Sequence, residues 1–398
     1  LPSLGASALR AIELFAGAGG LGLGVCHAGF KTERVIEWDR YCCDTIRENQ
    51  TRKLAPLRDW PLFEGDIRDF DFRIFEDKLD LVSGGPPCQP FSLGGKHGAY
   101  NDVRDMFPQA VRAVRQCRPQ TFIFENVKGL TRSAFSSYYE YIYLQLSYPE
   151  LERKLCEDWG QHLNRLEKHH TGMRRTRGLE YRVVRRVINA ANHGVAQKRE
   201  RVFFVGFRAD LEIEWHFPEE THSLDRLIWE QCSTGEYWDR HKVPKRKRAI
   251  SNSFKQRARR LFDAPLGNAW RTVRDAIGDL PDPEHQPMLA LLHSNHLFQP
   301  GARTYPGHTG SPIDEPAKTL KAGVHGVPGG ENMVVLPYGT TRYFTVRESA
   351  RLQTFPDNFV FHGSWSETMR QLGNAVPVAL ATAVAGSVRG QLVGRAAA

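Results

Sequence analysis

The stretch Ala11-Ile12-Glu13-Leu14-Phe15-Ala16-Gly17-Ala18-Gly19-Gly20-Leu21-Gly22 decides the fold. Residues 11–15 read as a buried strand. The glycines after them fit G-x-G-x-x-G, and Leu21, Leu23, Val25, Cys26 and Phe30 then follow a helical pattern. Glycine there permits a tight turn and lets the backbone come close to a nucleotide. A second strand, 34–36, ends in Glu37, twenty residues beyond Gly17, where a carboxylate can accept from both ribose hydroxyls. Together the two features point to an α/β fold with a nucleoside-type ligand at the carboxyl ends of its strands. Alone, the glycine run suits a structural turn.

Further strand ends lie outward from this unit. Gly65-Asp66-Ile67 precedes the strand 79–83. Asp66 can accept from an adenine amino group, although by itself it reads as a cap or turn residue. The strand 79–83 runs into Gly84-Gly85-Pro86-Pro87-Cys88-Gln89-Pro90-Phe91-Ser92. The prolines lock their own φ and bias the preceding residues to extended geometry, which presents Cys88 as a nucleophile must be presented. A proline-rich turn with an incidental thiol is the bland alternative. Thr121-Phe122-Ile123-Phe124 reads as a buried strand ending in Glu125-Asn126-Val127. Apolar neighbours desolvate Glu125, raise its pKa and favour a proton it can donate; capping of the next turn is the competing role. Strands at 182–190 and 201–207 flank Gln197-Lys198-Arg199-Glu200-Arg201. Alternation sends Gln197, Arg199 and Arg201 to one face, where guanidinium groups can bind a base carbonyl or a phosphate.

At 398 residues two domains are expected, and 41% hydrophobic content is that of a packed chain. Seven cysteines, an odd number without a C-x-x-C pair, argue against a disulfide framework and a zinc site and suit a reducing cytoplasm. No secretory signal is read, and the start at Leu1 is that of a processed or trimmed chain. The longest apolar stretch, Val378 to Val388, falls short of the ~20 residues that span a bilayer, so no membrane partner is expected. The net charge of +9 hints at a polyanion. Twelve Lys/Arg face three Glu between Arg165 and Arg208, and Lys242 to Arg260 contains no acid. Residues 131–180 carry a tyrosine stripe, read as packing, and a polar helix pattern through Leu151, Leu155, Leu163 and Leu166. Residues 210–342 read as loop-rich. Thr345 caps a helix that ends before Pro356, and Gly373-Asn374-Ala375-Val376-Pro377 leads into a helix expected to pack back on the first sheet.

In order and approximate spacing these segments resemble the DNA (cytosine-5) methyltransferase family, of the bacterial modification-methylase type. The likeness spans the chain except roughly 131–180 and 210–340; Glu13 and Ala196 stand where aspartate and proline are more usual. The resemblance implies a Rossmann-like, S-adenosylmethionine-dependent methyltransferase domain over 1–208, completed by 366–398. A smaller, loop-rich target-recognition domain would span 209–342, with a hinge segment at 343–365. Cys88 would attack carbon 6 of a cytosine flipped out of duplex DNA. Glu125 would hold ring nitrogen 3, and Arg199, with Arg201 beside it, the ring carbonyl. Phe15 would lie against the cofactor's adenine, Glu37 on its ribose and Asp66 on its amine, with Gly17, Gly19, Gly20, Trp38, Ile67, Pro86, Asn374 and Ala375 completing the pocket. S-adenosylhomocysteine would be the product. Gln89, Ser92, Arg104, Lys245, Arg246, Lys247 and Arg248 would meet DNA. A cytoplasmic monomer is expected, working beside a cognate restriction endonuclease without a stable complex. Three alternatives stay open: a nicotinamide-dependent oxidoreductase, which leaves the Cys88 loop unexplained, a transfer-RNA cytosine methyltransferase, and a non-catalytic DNA-binding protein.

Overall fold

Seven strands make the central sheet of the computed structural model, which describes residues 8–87, 105–172, 178–322, 332–337 and 339–396. They are β1 (Leu9–Leu14), β2 (Phe30–Glu37), β3 (Leu62–Glu64), β4 (Leu81–Gly84), β5 (Thr121–Val127), β6 (Tyr181–Asn189) and β7 (Glu200–Arg208). Their spatial order is β3-β2-β1-β4-β5-β7-β6. The first five are parallel; β7 runs antiparallel to both β5 and β6. The chain order reverses at β1, between β2 and β4, which opens a crevice at the carboxyl ends of the strands where ligands of such sheets gather. β5 is longer than expected: Glu125 lies within the strand, opposite Phe203, and not in the turn after it.

Each face of the sheet is buried, because alternate residues of a strand point to opposite sides. On one face Phe122, Phe124, Val202 and Phe204 pack under α3 (Phe107–Cys117), α4 (Ser136–Ser147) and α5 (Trp159–Thr171). On the other, Ile123, Phe203 and Val205 meet a core shared with α1 (Gly20–His27), while α2 (Arg40–Thr51) lies beside β3. The tyrosine stripe is packing: Tyr138 and Tyr141 are buried. Leu155, placed on a helix by the sequence pattern, is instead fully exposed in the linker between α4 and α5.

Residues beyond Arg208 form short elements. The helices are α6 (Leu224–Trp229), α7 (Glu236–Arg240), α8 (Asn252–Ala258), α9 (Val273–Ile277) and α10 (Pro287–Ala290). Small strands lie at His222–Ser223, Asn268–Ala269, Ser311–Pro312, Met333–Val335 and Thr341–Tyr343. Two small cores hold this region, one around Tyr237, Trp238 and Phe254, the other around Val273, Leu320 and Phe344. The start of the region does not belong to it. Leu211, Ile213, Trp215 and Phe217 pack on the first sheet, and Trp215 Nε1 donates to Ser387 Oγ at 3.0 Å. The break in packing therefore falls after Phe217, later than the boundary expected at 208.

Three helices close the chain: α11 (Val346–Leu352), α12 (Trp365–Asn374) and α13 (Val378–Ala396). α11 opens with a capping box, in which Thr345 Oγ accepts from Glu348 N and the Glu348 carboxylate accepts from Thr345 N. Its Val346 and Ala350 sit in the core with Ala16 and Leu23, and its Leu352 in the core with Val273 and Phe344. This helix joins the two regions. Trp365–Arg395 is long and apolar enough by length and composition to cross a membrane. It is interrupted at 375–377, and Leu380, Ala381, Val384 and Val388 of α13 are fully buried in the core shared with α1 and the sheet, so the apolar stretch is a core helix.

Candidate active site

The parallel strands deliver their carboxyl ends to one edge, and Gly17, Glu37 and Glu125 lie along it. Gly19, at φ 92°, is the N-cap of α1; a Cβ at this position would also lie 2.8 Å from the Trp60 ring. Only glycine fits there without strain. Phe15 takes φ 54°, a costly backbone for a bulky residue, typically about 1–3 kcal/mol, and one that clusters at functional sites. Its ring packs against the core that contains Phe107.

Glu37 ends β2 and its carboxylate draws the glycine loop to itself. It accepts from Gly17 N at 2.6 Å, Trp38 N at 2.9 Å and Asp39 N at 2.8 Å. Burial raises its pKa, and the three backbone N–H groups oppose that rise. Trp38 beside it is 66% exposed, a large ring left in solvent next to a buried acid. Asp66 caps a short turn over Ile67–Asp69, accepting from Arg68 N, and pairs with the Arg68 guanidinium, whose hydrogen bonds hold its pKa down. An adenine amine at Asp66 would have to share that carboxylate with Arg68. Arg112 of α3 fixes the same loop from behind, donating to Ile67 O at 2.6 Å and Phe70 O at 3.0 Å.

The second half of the site is a buried charge cluster. Glu125 Oε1 lies 2.8 Å from Arg201 Nε, both side chains being almost wholly withdrawn from solvent. The pair is close but poorly aligned, and Oε1 has no hydrogen-bond partner among the described residues. Desolvation raises the pKa of Glu125, with Arg201 and Arg199 working against it. A Cβ on Gly85 would stand 3.3 Å from Glu125 Oε2, so the glycine keeps space in front of the carboxylate. Asn126 Nδ2 donates to Pro86 O at 2.9 Å and Met106 N to Pro87 O at 3.1 Å, which anchors the approach to position 88. Cys88, Gln89, Ser92 and Arg104 themselves lie outside the described residues.

Arg199 is not where the sequence reading put it. Its guanidinium is fully buried and serves three backbone carbonyls: Leu320 O at 2.9 Å, Gly373 O at 2.6 Å and Ala375 O at 2.9 Å. Alternation does put it on the same face as Arg201, but non-local backbone takes its donors. The guanidinium beside Glu125 is that of Arg201. The neighbouring chain is drawn in the same way: Leu320 N donates to Gln197 Oε1 at 3.1 Å, and Ala317 bonds both Ala196 and Lys198. Gly373 sits so close to this segment that a Cβ would approach Ala322 N to 2.2 Å. Asn374 and Ala375 follow at the end of α12, with Asn374 exposed.

The basic segment divides too. Lys245, Arg246 and Lys247 form an exposed turn. Arg248 instead turns inward, with Nη2 donating to Asp239 Oδ1 at 2.8 Å and Nε to Val243 O at 3.1 Å, so it braces the turn rather than extending the cationic face.

A doubly wound sheet whose edge joins a glycine loop, a ribose-type acid and a buried Glu–Arg pair defines a nucleoside-dependent group-transfer enzyme. The family model for C-5 cytosine-specific DNA methylases matches residues 9–148 and 162–389, and the chain belongs to that family. It is 32% identical over 381 residues to the type II methyltransferase M.PspPI of Psychrobacter sp. (strain TA137), covering 94% of this chain and 77% of that one. It is 33% identical over 388 residues to M.Eco47II of Escherichia coli, covering 95% and 78%. The Dnmt2 methyltransferase of S. pombe shares the fold, with a TM-score of 0.55 at 16% identity over 96% of this chain and 99% of that one. The enzyme is a DNA (cytosine-5) methyltransferase.

The family implies an S-adenosylmethionine methyl donor, and the residues present fit one. The Glu37 carboxylate, the open space where a Cβ of Gly17 would stand and the solvent-facing ring of Trp38 suit the ribose and adenine of such a molecule.

Proposed function

We propose that this enzyme methylates carbon 5 of one cytosine in a specific duplex DNA sequence, through a transient bond between Cys88 and carbon 6. The observation that carries this reading is the buried Glu125–Arg201 pair, set on β5 and β7 directly behind the backbone that leads to Cys88. Carbon 5 of cytosine is a poor nucleophile. When the Cys88 thiolate adds to carbon 6, the ring electrons shift so that carbon 5 becomes enamine-like, and one hard step is divided into two easier ones. Glu125, favoured in its protonated form by burial, gives its proton to ring nitrogen 3 and so offsets the charge that develops. With Arg199 committed to backbone, Arg201 is the guanidinium assigned to the ring carbonyl. S-adenosylmethionine, when bound, supplies an electrophilic methyl group and leaves as S-adenosylhomocysteine. Loss of the carbon 5 proton to a base then expels Cys88 as thiolate and restores the aromatic ring.

Phe15, Glu37, Trp38, Asp66 and Ile67 are the residues assigned to the cofactor, with the backbone at Gly17, Gly19, Gly20, Pro86, Asn374 and Ala375. The reacting atoms of a paired cytosine are hidden in the duplex, so the base is flipped out before reaction. The loop-rich region after Phe217 is assigned to base reading, and Lys245 and Arg246 to phosphates. The two type II relatives lend a modification role by analogy, and with it we propose a cognate restriction endonuclease, a cytoplasmic place and a monomeric state. Incubation with methyl donor and mixed-sequence DNA, followed by base-resolution mapping, should show 5-methylcytosine at one motif and none with Cys88→Ala. Methylation by Cys88→Ala at the wild-type rate would remove Cys88 from the chemistry.

A further inference from the structure

The 131–180 insertion and α3 together line an open cavity of about 440 Å³ between α3, α4, α5 and the linker joining α4 to α5. It stands behind the Asp66 loop, on the α3 side of the sheet, and the family match breaks at 149–161, across the linker that lines it and the start of α5. The rings of Tyr138, Tyr141 and Trp159 line it. Tyr141 is held in place by its hydroxyl, which lies 2.8 Å from His162 Nδ1, while His162 Nε2 donates to Leu151 O at 2.6 Å. Gln145 also faces the cavity. It is only 8% exposed, yet its amide makes no hydrogen bond among the described residues. Neither amide atom is sealed from solvent, so both stay open to the cavity and can serve a ligand with a matching donor and acceptor.

Charge narrows the ligand. Arg112 and Arg115 line the cavity but are committed, the first to Ile67 O and Phe70 O, the second to Glu152 at 2.9 Å and Pro149 O at 3.3 Å. Arg153 is exposed at the rim and makes no ion pair or hydrogen bond among the described residues. Aromatic rings, an unpartnered amide and a rim cation match a planar base with an amide-like edge and an attached phosphate. We propose that this cavity is a second nucleotide site, separate from the cofactor crevice, which takes a nucleoside monophosphate either free or as an unpaired nucleotide of the DNA.

Calorimetric titration of the full chain tests this, with the cofactor crevice first saturated by S-adenosylhomocysteine. The probes are dCMP, dAMP, dGMP and TMP, then the nucleosides alone and inorganic phosphate alone. Saturable binding of at least one monophosphate is expected, with the matching nucleoside weaker. Gln145→Leu should weaken it roughly five- to tenfold. Arg153→Ala should weaken the monophosphate but not the nucleoside, and both variants should bind S-adenosylhomocysteine as wild type does. A single-stranded trinucleotide that binds more tightly than the monophosphate, through the same Gln145 dependence, assigns the source to DNA; one that binds no better assigns it to the free nucleotide. No saturable binding by any probe, or binding untouched by both substitutions, overturns the proposal. Failure of S-adenosylhomocysteine to bind would count against the cofactor assignment alone, because the second site is read through Gln145.

Discussion

Arg199, just before β7, and Arg201 within it are withdrawn from solvent, whereas Lys245 and Arg246 on the turn before α8 are exposed. All four contribute equally to a net charge of +9, yet they do different physical work. A buried guanidinium cannot fall back on water, so its partners are set by the fold: carbonyls for Arg199, whose Nε stays without a partner among the described residues, and a carboxylate for Arg201. An exposed cation is hydrated and screened, and its effect is long-ranged and additive, as phosphate contact requires. Position in the fold, more than residue type, separates catalytic and structural charge from steering charge.

The comparison breaks most visibly at Glu125. Glu125→Gln keeps the shape but removes the transferable proton, so turnover should fall by roughly 10²–10⁴-fold while S-adenosylhomocysteine affinity is retained. Single-turnover methylation at near wild-type rate would show that the buried pair is structural only. Arg199→Ala comes next. It strands three carbonyls, two of them buried, and should lower unfolding free energy by about 3–5 kcal/mol in urea titrations at unchanged m-value, with Arg199→Lys recovering part of the loss. Stability equal to wild type would mean that other donors already serve those carbonyls.

Glu13 sharpens the same contrast through pH. Burial lifts its carboxyl from 4.5 to about 8, against hydrogen bonds from Ser83 and Gly22. The folded state therefore holds this proton more tightly than the unfolded chain does. The resulting stability is complete below about 4.5 and is lost as pH rises through about 8. Glu13→Gln should flatten the stability profile across that window, removing a slope of at most ~1.4 kcal/mol per pH unit. An unchanged slope would show that Glu13 is not the group that titrates. The exposed cluster should give the mildest effect. The double variant Lys245→Ala, Arg246→Ala should reduce the slope of log affinity against log salt by about 2 while leaving the methylated motif the same. A changed motif would move these residues from phosphate contact to base reading.

Much of the site was legible because it is local. The spacing from Gly17 to Glu37 reflects one strand–helix–strand unit, and the strand before Glu125 announces itself by its apolar run. Asn126 could have been found as well, since it adjoins Glu125. Arg112 could not, because its role behind the Asp66 loop comes from what folds beside it.

By itself the sequence determined the alternation of strands and helices, the doubly wound sheet and the edge at which Gly17, Glu37 and Glu125 meet. These follow from periodicity and turn chemistry within a few dozen residues. Only the tertiary structure decided that Arg201 faces Glu125 while Arg199 serves Leu320 and Ala375, which lie 121 and 176 residues away. It also turned Arg248 inward, and it made the insertion into the wall of a cavity. Each of these depends on which distant backbone or side chain arrives beside a polar group, and burial makes that arrival binding because an unanswered donor cannot fall back on water.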